Sequence, residues 1–365
     1  MYKIRRFLEA NDYEITSIPD KADYILLTTC GTADSLTQKS LIQIKELMEY
    51  ASELIIVGCL PDTDWYEMKA IFNGKFIRNT EMHLLDEMFG ATIPFADFEN
   101  MQMDAFNDEY YFEICRGCVK RCSYCAIRIA VGPVKSVPID ILLAQINSAL
   151  SANPARIILG GENIGIYGLD IGTNIRELLN LINVPDNSLM MRLNNFHPKY
   201  LLEYSDIILN MVKNRKIGLL KIPVQSGSQE ILDLMNREYS IEKLGYLCDE
   251  IRRIDESLVI MTDIIVGFPG ETLDSLNSTI AFINKYLDIG RIFVFTKKEN
   301  TVAAKLPNQL DQESKNRMLE ILLDDLRGNN YKINTNDDNI YVFCQSNMKI
   351  DKRNPYFSEV KKLFM

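Results

Sequence analysis

Histidine, tryptophan and cysteine are scarce in this sequence, and each scarcity excludes a class of site. The 365 residues include two histidines, one tryptophan and eight cysteines. His83 and His197 are too far apart in the sequence to suggest a paired zinc motif. Eight cysteines are few for this length, and the sequence does not open with a charged and apolar signal segment. A disulfide framework is therefore not expected.

Long apolar runs and an excess of basic residues are also missing. No run could cross a bilayer, although 47% of the residues are hydrophobic, which is ample for a core. We therefore expect a cytoplasmic protein with no membrane partner. The net charge of −10 gives no overall electrostatic case for nucleic acid. Residues 114–138 reverse this balance with five basic residues and no acidic one, a patch that could attract phosphates or offset an anionic thiolate cluster.

What the sequence does contain is a compact cysteine motif. Cys118, Cys122 and Cys125 follow the spacing C-x3-C-x2-C, and the aromatic Tyr124 precedes the third cysteine. Three thiolates from one loop suit a cubane iron–sulfur cluster that leaves one iron open to bind something else. Zinc is the alternative, since Cys115 could supply a fourth sulfur to a closed site. The three-ligand spacing favours iron and sulfur.

Two further cysteines follow predicted strands near the N-terminus. The apolar runs 24–29 and 54–58 read as buried strands, with helical periodicity from Ser35 to Tyr50 between them. Cys30 and Cys59 come directly after these runs. Because ligands bind at the carboxyl ends of parallel strands, the two thiols could meet at one site. They could equally be two buried small apolar residues.

A strand–helix repeat follows residues 92–109, which hold Pro94 and five acidic residues and read as a linker. Six predicted strands alternate with amphipathic helices, which indicates βα units on a parallel sheet. The strands are 110–114, 156–159, 189–193, 217–222, 258–266 and 291–295, and the helices are 139–151, 175–181, 241–254 and 273–286. Six units are too few for a closed eight-fold barrel, so the sequence predicts a partial barrel with its site at the carboxyl ends of the strands.

Small and polar residues fall at those strand ends. Gly160, Gly161 and Glu162 follow the second strand, residues 223–228 follow the fourth, and residues 263–271 close the fifth. The glycines allow close backbone approach. Together the motifs suit a ligand with nucleoside, amino and carboxylate groups beside an open iron.

At this point the chain resembles the radical S-adenosylmethionine superfamily, and within it the methylthiotransferases. The resemblance spans roughly residues 1–325 and is closest to the branch that modifies threonylcarbamoyl-adenosine beside a tRNA anticodon. The matching segments are residues 22–30, 117–125, 161–174, 222–228, 235–239 and 262–272.

The resemblance implies an α/β fold in which a partial (β/α)6 radical SAM barrel follows a flavodoxin-like domain. The predicted boundaries are 1–91 for the N-terminal domain, 92–109 for the linker, 110–327 for the barrel and 328–365 for a short tail, a candidate remnant of an RNA-binding barrel. Two family features are not matched, namely the first of three N-terminal cysteines, with its strand, and the full C-terminal RNA-binding barrel. A start codon assigned too late would account for the first difference, as would a real loss.

The resemblance also assigns cofactors and residues. Cys118, Cys122 and Cys125 would hold a [4Fe–4S] cluster whose free iron binds S-adenosylmethionine, and no catalytic side chain is assigned. Cys30 and Cys59 would hold a candidate auxiliary cluster that carries the sulfur to be inserted. By this resemblance, Gly160, Gly161 and Glu162 would bind the amino group of S-adenosylmethionine. Ser226 would bind its ribose and Arg237 its carboxylate, and Tyr124 and Ile265 would lie near its adenine.

The function this implies is methylthiolation, the replacement of C–H by C–SCH3, on a modified tRNA adenosine. Modification of a peptide or protein side chain is the main alternative, because the full RNA-binding barrel is not matched. A second alternative is a degenerate non-catalytic barrel that serves as a binding module, or a zinc-binding protein. The implied partners are tRNA or a protein substrate, and an electron donor such as flavodoxin or ferredoxin.

Overall fold

The computed structural model describes residues 1–102, 109–152, 154–183, 189–335 and 341–346, together with Asn354. The chain divides into two compact units. The N-terminal unit comprises Met1–Met103, Tyr124–Pro133 and Lys298–Ala304, and the C-terminal unit comprises Asp104–Ser123, Val134–Lys297 and Lys305–Met365. None of the helices in the described part of the chain combines the length and the apolar character needed to span a bilayer.

The N-terminal unit is a three-stranded parallel sheet flanked by helices, with strand order β1-β2-β3. Its strands are β1 (Tyr24–Thr29), β2 (Glu53–Gly58) and β3 (Lys75–Arg78). Its helices are α1 (Tyr2–Ala10), α2 (Asp34–Leu47), α3 (Leu60–Thr63), α4 (Trp65–Ile71), α5 (Leu84–Met88) and α6 (Ile127–Val131). Short 3-10 turns lie at Pro19–Lys21, Asn79–Glu81 and Phe95–Phe98, and another spans Ala303–Lys305.

Strand β2 is buried on both faces, which is why its sequence is a continuous apolar run. Ile55 and Val57 pack with Phe7 of α1 and Leu85 of α5 on one face. Leu54 and Ile56 alternate with them and pack on the other face, in a cluster with Ile44, Leu60 and Met68. The linker predicted at 92–109 contains the Phe95–Phe98 turn, whose two phenylalanines belong to the first cluster.

The C-terminal unit is built on an eight-stranded sheet. Its strands are β4 (Glu109–Glu113), β7 (Arg156–Gly160), β8 (Met191–Leu193), β9 (Ile217–Lys221), β10 (Val259–Val266), β11 (Ile289–Val294), β12 (Tyr331–Thr335) and β13 (Tyr341–Gln345), and a separate hairpin joins β5 (Cys115–Arg116) to β6 (Lys135–Ser136). Its helices are α7 (Ile139–Ser151), α8 (Ile175–Leu181), α9 (Pro198–Glu203), α10 (Ser205–Lys213), α11 (Gln229–Leu234), α12 (Ile241–Ile254), α13 (Leu273–Tyr286) and α14 (Gln312–Gly328), with a 3-10 turn at Ile164–Ile166.

The order in the sheet is β12-β13-β11-β10-β9-β8-β7-β4. The six strands from β4 to β11 in that row are parallel, and β13 and β12 are added antiparallel beside β11. The predicted α/β fold with six parallel strands is therefore confirmed, and the sheet is open rather than closed. The described part of the tail extends this sheet through β12 and β13, and the predicted remnant of an RNA-binding barrel at 328–365 stays a prediction. The other predicted domain boundaries stay a prediction.

Helix α13 shows how the sequence sets local structure beside the strand ends. Thr272 Oγ1 accepts from Ser275 N at 3.2 Å, and Ser275 Oγ accepts from Thr272 N at 2.8 Å, which forms a reciprocal capping box. Leu276, Ile280 and Ile283 then recur at helical spacing and are buried in the core of the sheet.

Tyr331 joins the tail strand β12 to the end of α13. Its hydroxyl lies 2.8 Å from Leu287 O and 3.1 Å from Ile283 O, and the residue is buried. We expect Tyr331→Phe to lower the free energy of unfolding by about 1–2 kcal/mol, because buried carbonyls lose their donor. Urea denaturation measures this change. Tyr246→Phe, which removes an exposed hydroxyl bonded to Glu242, is the control. An equal loss of unfolding free energy in that variant would contradict the stabilising role of the Tyr331 hydroxyl.

Glu271 closes the turn between β10 and α13. Its Oε2 accepts from Gly267 N at 2.5 Å, and burial raises its pKa from 4.5 to about 7. Because the folded-state pKa is raised, the associated stability is present below pH ~4.5 and is lost as the pH rises through about 7, a difference of about 3 kcal/mol. Glu271→Gln should flatten the pH dependence of the unfolding free energy between pH 4.5 and 7. Glu250→Gln, at an exposed site, should keep it; a parallel profile for all three proteins would contradict this assignment.

Candidate functional site

The cysteine loop leaves the sheet at the carboxyl end of β4, after the short β5 strand. Cys118 and Cys122 are half-buried residues of the C-terminal unit. Cys125, also half-buried, follows Cys122 by three positions and belongs to the N-terminal unit. No disulfide engages any of the cysteines in the described part of the chain.

The segment Met235–Tyr239 holds the cysteine loop through hydrogen bonds. Ser123 N donates to Met235 O at 2.9 Å, and Ser123 Oγ donates to Leu234 O at 2.8 Å. Asn236 Nδ2 donates to Arg121 O at 2.8 Å. Asn236 has φ +56°, a left-handed conformation that asparagine tolerates better than most residues. The loop therefore takes its shape from a distant segment rather than from its own secondary structure.

Charged side chains reinforce the same contact. Lys120 and Lys199 donate to Glu238 Oε2 at 2.5 and 2.7 Å, and the hydrogen bond from Lys120 leads in holding the pKa of Glu238 at about 2. The side chain of Glu238 is 44% exposed, so solvent screening limits what this pair adds to stability. The contact positions Lys120 beside the cysteines.

N–H donors also face the two sulfur atoms of the loop in the C-terminal unit. Lys120 N lies 3.4 Å from Cys118 Sγ, and Arg237 Nη1 lies 3.5 Å from Cys122 Sγ. The Arg237 guanidinium also donates to Pro223 O at 2.5 Å and lies over the ring of Tyr239, 5.7 Å from its centroid. Hydrogen bonds to the sulfurs are one way in which a protein tunes an iron–sulfur cluster.

Cys115 is not equivalent to the other cysteines of the motif. It is 1% exposed and lies with Sγ 3.5 Å from Asn163 O. Burial, with the nearby Glu162 carboxylate, strongly raises the pKa of the Cys115 thiol, so it remains protonated. The motif therefore offers three thiols rather than four, which fits a cluster with an open iron better than a closed zinc site. Among the described residues, no three His, Cys, Asp or Glu side chains are arranged as a ready metal site.

The Gly160–Glu162 motif lies at the carboxyl end of β7 and needs its glycines. A Cβ on Gly160 would lie 2.3 Å from Tyr111 Oη, and one on Gly161 would lie 2.3 Å from Cys115 O. Glu162 Oε2 accepts from Gly117 N at 2.9 Å, and burial raises the pKa of this carboxyl. The motif therefore contacts the start of the cysteine loop directly.

The remaining predicted contacts lie at or near strand ends. Ser226 is fully buried, with Oγ 3.1 Å from Thr279 Oγ1 and accepting from Ser228 N at 3.2 Å. Its hydroxyl thus has protein partners here, and the ribose contact stays a prediction. Ile265 is buried near the end of β10, and its N donates to Gln225 O at 2.9 Å. Tyr124 is half-buried in the N-terminal unit.

Two buried side chains that the sequence did not single out lie beside this site. Asn163 Oδ1 accepts from His197 N at 3.3 Å, and His197 Nδ1 accepts from Lys199 N at 3.2 Å. Burial, with Arg237 and Lys120 nearby, strongly lowers the pKa of His197, so its imidazole is neutral and carries its proton on Nε2. Their one sequence signal is position, since Asn163 follows β7 directly and His197 lies in the loop after β8.

The N-terminal unit brings its two cysteines to one sheet edge, as predicted. Thr29 pairs with Gly58, and Gly58 pairs with Arg78, so the next residues along the three strands are Cys30, Cys59 and Asn79. Cys30 Sγ lies 3.1 Å from Thr32 Oγ1, and Asn79 Nδ2 donates to Cys59 Sγ at 3.1 Å. The sequence pattern does not point to Asn79, because the short strand β3 that precedes it has only a weak apolar pattern.

A separate cleft lies at the opposite end of the sheet. Met191 and Lys216, at the amino-terminal ends of β8 and β9, line it together with Leu179 and Asn210. None of the predicted site residues lies there. We therefore place the functional site at the carboxyl ends, where the charged and thiol groups converge.

Comparison with known proteins identifies two families that match this chain. Residues 112–283 match the radical SAM superfamily, and residues 1–77 match a family described as uncharacterized protein family UPF0004. The chain is 29% identical over 313 residues to a probable threonylcarbamoyladenosine tRNA methylthiotransferase of Pyrococcus horikoshii, covering 82% of this chain and 74% of that protein. It is 28% identical over 327 residues to the ribosomal protein uS12 methylthiotransferase of Protochlamydia amoebophila, covering 83% of this chain and 68% of that protein.

The fold likewise resembles a solved radical SAM structure. The radical S-adenosylmethionine methyltransferase TsrM from Kitasatospora setae superposes with a TM-score of 0.59 at 12% identity. The alignment covers 82% of this chain and 66% of that one, just under two thirds of its length. The predicted resemblance is thus confirmed. This chain carries a UPF0004 domain followed in the sequence by a radical SAM domain, and it is related to the methylthiotransferases.

Proposed function

We propose that this protein is a radical SAM methylthiotransferase that replaces C–H by C–SCH3 on a modified tRNA adenosine near the anticodon. The observation that carries the proposal is the three-thiol loop at the end of β4, bound to the strand-end motifs at Glu162 and Arg237, in a chain with both domains. The reaction takes place in the cytoplasm, with no membrane partner.

Cys118, Cys122 and Cys125 would hold a [4Fe–4S] cluster, and the donor set fits because Cys115 is withdrawn as a protonated, buried thiol. With S-adenosylmethionine bound, the cluster supplies one-electron cleavage of a sulfonium and hydrogen abstraction from an unactivated carbon. The protein's own part is to orient the cofactor and exclude water. A donor of the flavodoxin or ferredoxin class would supply the electron.

Several side chains would position S-adenosylmethionine. Gly160 and Gly161 leave room for it, and Glu162, beside the cysteine loop, would accept from its amino group. Arg237 would donate to its carboxylate from a position already next to Cys122. Ser226 would offer a lone pair to the ribose, with Tyr124 and Ile265 near the adenine.

Cys30 and Cys59 would hold an auxiliary cluster in the N-terminal unit. Both residues directly follow paired residues of neighbouring parallel strands, which supports this assignment. The Asn79 amide also donates to the sulfur of Cys59. Such a cluster would carry the sulfur to be methylated and inserted.

The choice of substrate rests on the relatives. The Pyrococcus relative is named for tRNA, and the Protochlamydia relative for a ribosomal protein. We place tRNA first because Arg121, an exposed residue of the local basic patch, lies on the cysteine loop itself. Modification of a protein side chain is the alternative that the nucleoside experiment below tests.

Iron content tests the cofactor assignment. After anaerobic reconstitution we expect about seven to eight irons per chain, or about four if only the barrel cluster forms. The double variant Cys118→Ala/Cys122→Ala should lose about four irons, and Cys30→Ala/Cys59→Ala should remove any excess over four. Cys248→Ala, at a buried cysteine outside the site, is the matched control and should retain the full content. Stoichiometric zinc without iron would refute the enzyme assignment.

The modified nucleosides of tRNA test the reaction. A strain that lacks this gene should lose one methylthio-nucleoside, measured by liquid chromatography and mass spectrometry, and accumulate its unmethylthiolated precursor. The wild-type gene should restore the product, whereas Arg237→Ala should not, because the donor beside Cys122 is lost. An unchanged tRNA profile in the deletion strain, together with the loss of a methylthio group from a ribosomal protein, would favour the protein substrate instead.

A further inference from the structure

A buried lysine from late in the sequence belongs to the N-terminal unit. Lys298 opens the segment Lys298–Ala304, which comes after β11 in the sequence but is part of that unit. The Lys298 carbonyl oxygen accepts from Thr301 N at 3.0 Å and from Thr301 Oγ1 at 2.6 Å. A local turn therefore fixes the backbone from which the lysine side chain extends.

The Lys298 ammonium closes a triangle of polar groups with Thr37 and Asp64. Lys298 Nζ donates to Asp64 Oδ1 at 2.5 Å and to Thr37 Oγ1 at 3.0 Å. Thr37 Oγ1 in turn donates to Asp64 Oδ2 at 3.1 Å. All three residues are buried. Because a buried charge is costly once its partner is removed, the ion pair strongly favours this one arrangement of the three side chains.

Thr37 connects the triangle to the backbone of Cys30. Thr37 and Ser40 are buried and lie three residues apart on α2, so they share one face of that helix. Ser40 Oγ accepts from Cys30 N and donates to Cys30 O, each at 3.3 Å. The face of α2 that contacts the lysine is therefore also the face that holds the first cysteine.

Asp64 connects the triangle to the segment that begins at Cys59. The Cys59 carbonyl oxygen accepts from Thr63 N at 3.0 Å and from Thr63 Oγ1 at 3.2 Å, which places Asp64 directly after this turn. Gly31, the residue after Cys30, packs against the end of the same turn. A Cβ on Gly31 would lie 1.9 Å from Thr63 Oγ1 and 2.7 Å from Asp64 Oδ2. The two cysteine segments thus touch beside the triangle.

The spacing of the two thiols depends on these contacts. Strands β1 and β2 end at Thr29 and Gly58, and Cys59 N donates to Thr29 O at 3.3 Å. Parallel pairing therefore brings the backbones of Cys30 and Cys59 to one edge of the sheet. Beyond that row, the turns and side chains that meet at the triangle determine how far apart the two segments lie.

We propose that Lys298 is a positioning residue for the two-thiol site, and that its ion pair with Asp64 fixes the spacing between Cys30 and Cys59. This inference rests on the proposed function, in which the two thiols hold an auxiliary cluster. Groups that do not touch a metal centre commonly orient the residues that do. A lysine suits this role because its ammonium donates to Asp64 and Thr37 at the same time.

Cross-linking of the two thiols tests their spacing. The parent protein is the full chain without the thiols of the other candidate site, Cys118→Ala/Cys122→Ala/Cys125→Ala. Dibromobimane becomes fluorescent only when both of its bromomethyl groups have alkylated thiols. Neighbouring strands lie about 4.8 Å apart, a distance that this reagent spans. Peptide mass spectrometry identifies the bridged Cys30–Cys59 product, and fluorescence gives its rate of formation.

We expect Lys298→Gln to lower this rate at least about fivefold, because two loosened segments bring their thiols together less often. Lys298→Arg should restore most of the rate, since a guanidinium also pairs with a buried carboxylate. Lys297→Gln is the matched control, because it removes the same charge from the exposed neighbouring residue and should leave the rate unchanged. A merely stabilising lysine would lower the melting temperature but leave the cross-linking rate of the folded chain as it is.

The double variant Asp64→Asn/Lys298→Gln keeps the test valid where the single substitution prevents folding. It leaves no buried charge without its partner, and circular dichroism verifies that it folds. We expect it also to cross-link more slowly than the parent. A parental rate in the folded double variant would overturn the proposal.

Iron content separates this inference from the proposed function. In the reconstituted chain with all its cysteines, Lys298→Gln should lose only the irons that Cys30→Ala/Cys59→Ala loses, and should keep about four at the other site. If the wild type holds only about four irons while the cross-linking rates behave as expected, the proposed auxiliary cluster fails and the positioning role stands. If Lys298→Gln and the double variant cross-link at the parental rate, the positioning role is refuted whatever the iron content.

Discussion

Hydrogen bonding between parallel strands is the constraint on which both candidate sites depend. Parallel pairing fixes each strand against its neighbour, so the residues that follow the last paired row arrive at one edge. In the N-terminal unit this row is Thr29, Gly58 and Arg78, and the sulfurs of Cys30 and Cys59 come next. In the C-terminal unit, Glu113 pairs with Gly160, so the cysteine loop and the Gly160–Glu162 motif start together.

The cysteine loop depends on these strand ends for its conformation. Between Gly117 and Ser123 it has no secondary structure of its own, and its polar groups bond to Glu162, Met235 and Glu238. Glu162, one of the residues proposed to contact S-adenosylmethionine, is thus also one of the residues that shape the cysteine loop. Asn236 and Glu238, whose side chains bond to this loop, both have a left-handed backbone conformation.

The net charge of the whole chain differs from the local charge beside the candidate site. The whole sequence is acidic, yet Lys120 and Lys199 converge on Glu238 beside the cysteine loop, and Arg237 lies against Cys122. Cations in such positions favour anionic groups beside them, and cysteine thiolates are anions. The net charge alone argued against a nucleic-acid partner, because an average over 365 residues hides a site of about ten side chains.

The sequence by itself determined the cysteine spacing, the six parallel strands of the main sheet and the bounds of several elements. Strand β1 and helices α7, α8, α12 and α13 match the prediction residue for residue, because apolar periodicity and caps are local signals. Only the tertiary structure decided that Cys115 is buried, that β12 and β13 join the main sheet, and that Asn79, Asn163 and His197 lie beside the candidate sites. These outcomes depend on pairings between residues far apart in the chain, whose partners no local pattern specifies, and on burial, which sets the protonation of each group once those partners are in place.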